Sequence, residues 1–159
     1  MSDLYEFRKI LEVNAARLAA ENLRPEHVAE FDSILQDMES MESSPSNRTR
    51  SVELELEIHN LIAKASGNAE LHGAIRNLMD KVMCFIWVDW VDPASANSEA
   101  IATANREHEE LIASIKEQNA DKAAEKLGAH IDHARDVMIN LLRAREELRD
   151  AVLAGVSSR

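Results

Sequence analysis

Apolar residues in this chain recur at intervals of three and four rather than two, and the pattern holds for several turns in six separate stretches. Such spacing marks helices with one buried face. It predicts helices over about 2–22, 25–41, 52–68, 69–90, 98–117 and 120–152. The breaks carry suitable punctuation. Ser2 and Asp3 are cap candidates, Pro25 in "LRPEH" suits a first helical turn, and Gly67 in "SGN" suits a left-handed cap closing the third helix. "SSPSN" (43–47) and "VDPASANS" (91–98) read as loops. The fourth helix is apolar nearly all round towards its end (Val82, Met83, Phe85, Ile86, Trp87, Val88), which makes it the expected central, most buried helix. Short connections favour antiparallel neighbours. The expectation is an all-α, single antiparallel bundle of about six helices, one domain over residues 1–159.

Composition agrees with that pattern and narrows the function. With 159 residues, four glycines and three prolines, the chain suits one helical domain with a single core. The formal charge of −11 argues against a nucleic-acid surface within the chain, since phosphate contacts need clustered Lys and Arg. No signal peptide is expected ahead of the first helix, and the apolar run at 82–88 is too short to span a bilayer. A cytoplasmic protein without membrane contact is expected. The one cysteine, Cys84 in "VMCFIWV", reads as a small buried hydrophobe.

The pattern breaks in an informative way on three helices. In "VELELEIHNLIAKASGN" the residues Glu53, Glu57, Asn60 and Lys64 form a polar stripe, yet Glu55 and His59 fall on the apolar face, one turn apart. On the fifth helix His108 lies at the centre of the seam Ile101, Ala104, Leu111, Ile112 and Ile115. On the sixth, His130 is central to the stripe Ala123, Leu127, Ala134, Val137 and Leu141, and His133 lies on its margin. One histidine on an apolar face is most often a hydrogen-bonded core residue. Three of them with a carboxylate need compensation, because buried ionisable groups cost several kcal/mol. A divalent cation compensates all four together, and this ligand set suits zinc, nickel, iron or manganese.

Other metal patterns are missing. No Glu-x-x-His occurs, and "HEELI" at 108–112 has Ile where a zinc-protease helix needs a second His. His27 and His72, in first helical turns, read as surface or capping residues. Arg8 lies on the inward side of the first helix, beside Ala15 and Ala19. Its guanidinium could hold an anionic ligand, a carboxylate bidentately, or pair with Glu12 one turn on.

These residues carry a resemblance. "LYEFRKILEVNAARLAAENL", "ELEIHNLIAKASGN" and "REHEELIASIKEQNADKAAEKLGAHI" resemble, in order, the motifs of the FCD family, over about residues 3–142. That family is the C-terminal effector-binding domain of FadR-type regulators in the GntR superfamily. The resemblance implies a metal-centred cavity in an antiparallel bundle, with a small organic acid bound at the metal. Carried over residue by residue, it implies Glu55, His59, His108 and His130 as metal ligands and Arg8 as the arginine of the first motif. Glu55 stands where the family usually has Asp, and Ile58 where Phe is common. The longer glutamate bears on which metal binds.

The expectation is therefore a ligand-sensing domain. It would bind one divalent ion, zinc or nickel foremost and manganese or iron as alternatives, and a small carboxylate effector touching Arg8 and His133. DNA would be reached only through a winged-helix domain absent from this chain, and a homodimer is the expected assembly. The rival readings are a metal-dependent enzyme acting on a small carboxylate, with His133 as the sole candidate base, and a structural metal-binding bundle. No catalytic residues are expected.

Overall fold

The computed structural model describes residues 2–40, 48–90 and 98–156. They form six α-helices: α1 (Ser2–Glu21), α2 (Pro25–Ser40), α3 (Arg48–Ala65), α4 (Ala69–Trp90), α5 (Ser98–Lys116) and α6 (Ala120–Val156). Paired residues give the directions. Lys9 meets Asp132 and Arg17 meets Asp121, so α1 and α6 run antiparallel. Lys64 meets Glu30 and Arg50 meets Asp37, so α2 and α3 do too. By contrast Arg8 meets Glu55, Glu12 meets His59 and Asn22 meets Ser66, so α1 and α3 run parallel. That parallel pairing sets two four-residue steps side by side, Arg8–Glu12 against Glu55–His59, and it builds the site described below.

Among the described residues the helix at the centre is α1, which packs against α3, α4, α5 and α6, and not α4 as its apolar run suggests. The reason is side-chain size. Ala15, Ala16, Ala19 and Ala20 are fully buried and let neighbouring helices approach closely, which a helix of bulky residues does not allow. The core beside them is aliphatic, with Phe31, Ile58, Ile62, Ile75, Leu111 and Leu127 all fully buried. Val82 and Met83 are buried as expected, but Cys84 on the next position is exposed, its thiol donating to the Asp80 carbonyl at 3.4 Å. The side chains of Phe85, Ile86, Trp87 and Val88, and the loops at 43–47 and 91–97, lie outside the described residues.

Two helices outrun their apolar pattern. The first turn of α3 is polar, with Arg50 bonded to Asp37 and Glu57, so no hydrophobic period signals it. The last turns of α6 expose Leu148 and Leu153. Among the described residues, no helix is long and apolar enough to cross a membrane.

Two asparagines and one glycine set helix ends. Asn68 Oδ1 accepts from the Leu71 amide at 3.0 Å and Asn119 Oδ1 from the Lys122 amide at 3.1 Å, opening α4 and α6. Gly67 sits at φ +74°, closing α3. A Cβ there would meet nothing closer than 3.7 Å from Asn22, so only backbone strain opposes a side chain. Gly67→Ala is expected to destabilise the fold by roughly 1–2 kcal/mol. A denaturant midpoint unchanged from wild type would contradict this.

Candidate metal centre

α3, α5 and α6 send Glu55, His59, His108 and His130 into one buried cluster. Each of the four offers a nitrogen or oxygen ligand atom, and all of these atoms lie within 4.8 Å of one another. The carboxylate is the hub. Its Oε1 lies 3.2 Å from His59 Nε2 and 3.5 Å from His130 Nε2, and its Oε2 lies 3.3 Å from His108 Nε2. Two atoms bound tetrahedrally to one zinc ion are also roughly 3.3 Å apart, given metal–ligand bonds near 2 Å. The Nε2 atoms of His108 and His130 are buried and lack hydrogen-bond partners. Unpaired buried nitrogens are uncommon, because each forfeits its interaction with water. Three imidazole nitrogens converging on a carboxylate, two of them unsatisfied, fit a divalent cation.

The outer nitrogens are held by carboxylates. His130 Nδ1 bonds Glu107 Oε2 at 2.9 Å, and His59 Nδ1 bonds Glu12 Oε2. A carboxylate on Nδ1 keeps a proton there and aims Nε2 inward, which is the arrangement of metal-bound histidines. Neither Glu12 nor Glu107 stands out in the sequence as a site residue. Glu12 reads only as a partner for Arg8, and Glu107 sits in the charged run "REHEE". The signal that could find them is inter-helix register: Glu107 and His130 face each other across α5 and α6 just as Glu110 and Lys126 do.

The electrostatics follow from this crowding. Burial pushes the Glu55 carboxyl up, but His59, His108 and His130 together hold it well below the usual carboxylate range. Burial and the neighbouring His130 push the His108 imidazole well below its ordinary value, which favours the neutral, ligating form. Burial lowers His130 too, but Glu55 and Glu107 outweigh it and carry it up to about 9. Burial raises Glu12, while Arg8 and His59 bring it down to about 2.

Arg8 is fully buried and has acid partners on two helices. Its Nε donates to Glu12 Oε1 at 2.6 Å, and its Nη2 lies 3.2 Å from Glu55 Oε1 and 2.9 Å from His59 Nε2. Pairing with Glu12 is thus present, and Arg8 also reaches the cluster. His133 is about one-third exposed and bonds Glu107 Oε1 at 2.9 Å through Nδ1. It lines a cavity of about 20 Å³ together with Glu55, His130, Glu107, Tyr5 and Val137. Arg8 is not among the residues lining that cavity.

The remaining histidines split. His72 is a surface residue bonded to Asn60 at 2.8 Å, as expected. His27 is instead buried, with Nδ1 unpaired, because the start of α2 packs inward on the bundle. It takes no part in the cluster.

Comparison with known proteins agrees with this architecture. The FCD domain matches residues 3–133. The Nta operon transcriptional regulator of Aminobacter aminovorans is 25% identical over 141 residues, covering 89% of this chain and 62% of that protein. The chain therefore spans somewhat less than two-thirds of that relative's length. Among solved structures, E. coli McbR/YncC superposes with a TM-score of 0.72 at 16% identity, over 87% of this chain and 67% of the other. Streptococcus agalactiae GntR gives 0.69 at 22%, over 85% and 57%. The metal-free FCD domain of TM0439 gives 0.70 at 22%, over 90% and 94%. These likenesses establish the fold. The match over most of the chain assigns it to the FCD family, the regulatory ligand-binding domains of the GntR superfamily, which are not catalytic enzymes.

Proposed function

We propose that the domain holds one divalent ion through Glu55, His59, His108 and His130 and uses it to sense a small carboxylate. The observation that carries this reading is the convergence of three Nε2 atoms on Glu55, two of them buried and unpartnered. Zinc or nickel suits the nitrogen-rich set best, with manganese or iron as alternatives. When bound, the ion would supply positive charge and exchangeable coordination positions for an acid.

The chain's own residues prepare for this. Glu12 and Glu107 orient His59 and His130, and Glu107 also positions His133 at the cavity wall. Arg8 would donate to a carboxylate oxygen of the ligand, and His133 would make a further contact. A cavity of about 20 Å³ holds little more than a water-sized occupant, so a multi-atom acid must displace side chains on entry. Such displacement gives the acid a means to alter helix packing, provided its affinity differs between the two packings. In the full regulator we take residues 1–159 as the effector domain, acting in the cytoplasm as a homodimer. It would modulate DNA binding by a separate winged-helix domain, as the similarity to an operon regulator supports.

The same small cavity favours a second reading, in which the ion is purely structural. Calorimetry with mono-, di- and tricarboxylates separates the two. On metal-loaded protein an acid is expected to bind, and on chelated protein the binding should disappear. Arg8→Ala should weaken the acid by roughly 1–3 kcal/mol with the metal still bound, as for a lost charge-assisted hydrogen bond. Equal acid binding with and without metal would refute the anchoring role. No binding by any acid would favour the structural ion.

A further inference from the structure

The position of Arg8 has a consequence for how the site fills. Its Nη2 bonds two atoms at once, Glu55 Oε1 at 3.2 Å and His59 Nε2 at 2.9 Å. Both belong to residues of the cluster that could hold a metal. His59 Nδ1 faces a carboxylate oxygen of Glu12, an acceptor only, so the ring proton sits on Nδ1 and Nε2 presents a single lone pair. That lone pair receives the guanidinium N–H. It cannot serve a cation at the same time.

We propose that Arg8 and the divalent ion exchange for Glu55 and His59, so that Arg8 acts as an internal counter-cation which the ion displaces. The proposal rests on the metal-site reading above and deepens it. The geometry gives the displaced group a defined place to pivot. Nε stays on Glu12 Oε1 at 2.6 Å, on α1 itself, while the contacts given up by Nη2 lie on α3. Nη1 is buried without a partner, so the fork already has a free donor. After exchange both terminal nitrogens are available to an anion. Before it, Nη2 is committed to Glu55 and His59. Binding is then ordered: the cation comes first, and the acid finds both terminal nitrogens free only afterwards. Retention of a buried arginine against its own metal ligands thus makes acid sensing conditional on metal.

The test is zinc binding to chelator-treated protein, by competition with a chromophoric chelator, for wild type, Arg8→Met and Arg8→Lys. Loss of the competing donor should tighten zinc binding by roughly ten-fold or more in Arg8→Met. Removing a nearby positive charge also favours a cation, so a second readout on the wild type is needed. Zinc should shift the Arg8 Nη resonances in ¹⁵N spectra and leave the Nε–H, held by Glu12, nearly unmoved. That measurement also stands if Arg8→Met fails to fold. Arg8→Lys, which keeps the charge without the fork, should fall between wild type and Arg8→Met. Equal or weaker zinc binding by Arg8→Met, or Nη resonances unmoved by bound zinc, would overturn the exchange while leaving the metal site standing. Absence of zinc binding in all three proteins would instead overturn the metal-site reading, and the exchange with it.

Discussion

Glu12→Ala is expected to destabilise the chelated domain by about 3–5 kcal/mol, the range for breaking a buried ion pair by removing one partner. Glu12 is nearly fully buried and serves two donors, Arg8 Nε and His59 Nδ1. Its removal leaves a buried guanidinium that stays charged, with Glu55 as its one remaining acid partner among those named. Glu12→Gln keeps an acceptor and should lose less. The pH dependence has a definite sign. The Glu12 carboxyl is depressed from 4.5 to about 2, against burial, by Arg8 and His59. Its contribution is therefore complete above the ordinary carboxylate range and is lost as pH falls through the depressed value. The gap between wild type and Glu12→Ala should narrow across that acid window and stay constant above it. Urea unfolding at several pH values measures this, with an unchanged slope as the check on two-state behaviour. A loss below about 1 kcal/mol at neutral pH would place the pair among those of little net worth.

The helices that the sequence marks clearly are those whose apolar seam is long and strict. α3 shows why the site was visible at all. Its polar stripe of Glu53, Glu57, Asn60 and Lys64 is exposed, so Glu55 and His59 stand out as ionisable groups on the wrong face, and both are indeed buried. His108 and His130 are legible for the same reason. Glu12 and Glu107 are not, because a glutamate one turn from an arginine, or inside a charged run, looks like an ordinary surface residue. Their placement depends on register between helices, α1 parallel to α3 and α5 antiparallel to α6, which no single helix encodes. The centrality of α1 was hidden too, since buried alanines carry little hydrophobic signal. Cys84 and His27 went the other way: an apolar run does not say which way Cys84 faces, and a first-turn position does not say whether His27 faces the bundle.

The second large effect concerns the residues proposed as metal ligands. His108→Ala or His130→Ala is expected to weaken metal affinity by more than about 100-fold, since loss of even an outer partner of a metal ligand commonly costs 10–100-fold. His27→Ala, buried but apart from the cluster, should leave affinity unchanged. If His108→Ala bound the ion as tightly as wild type, the cluster would not be the site.

All of this depends on one claim, that Glu55, His59, His108 and His130 hold a divalent cation. Titration of chelator-treated protein with zinc and nickel, followed by both heat and thermal unfolding, tests it most directly. One ion per chain is expected, with the fold stabilised by roughly 3–4 kcal/mol at 100–1,000 times the dissociation constant. Neither heat nor stabilisation with either metal, together with elemental analysis finding no metal in protein purified without chelators, would contradict it.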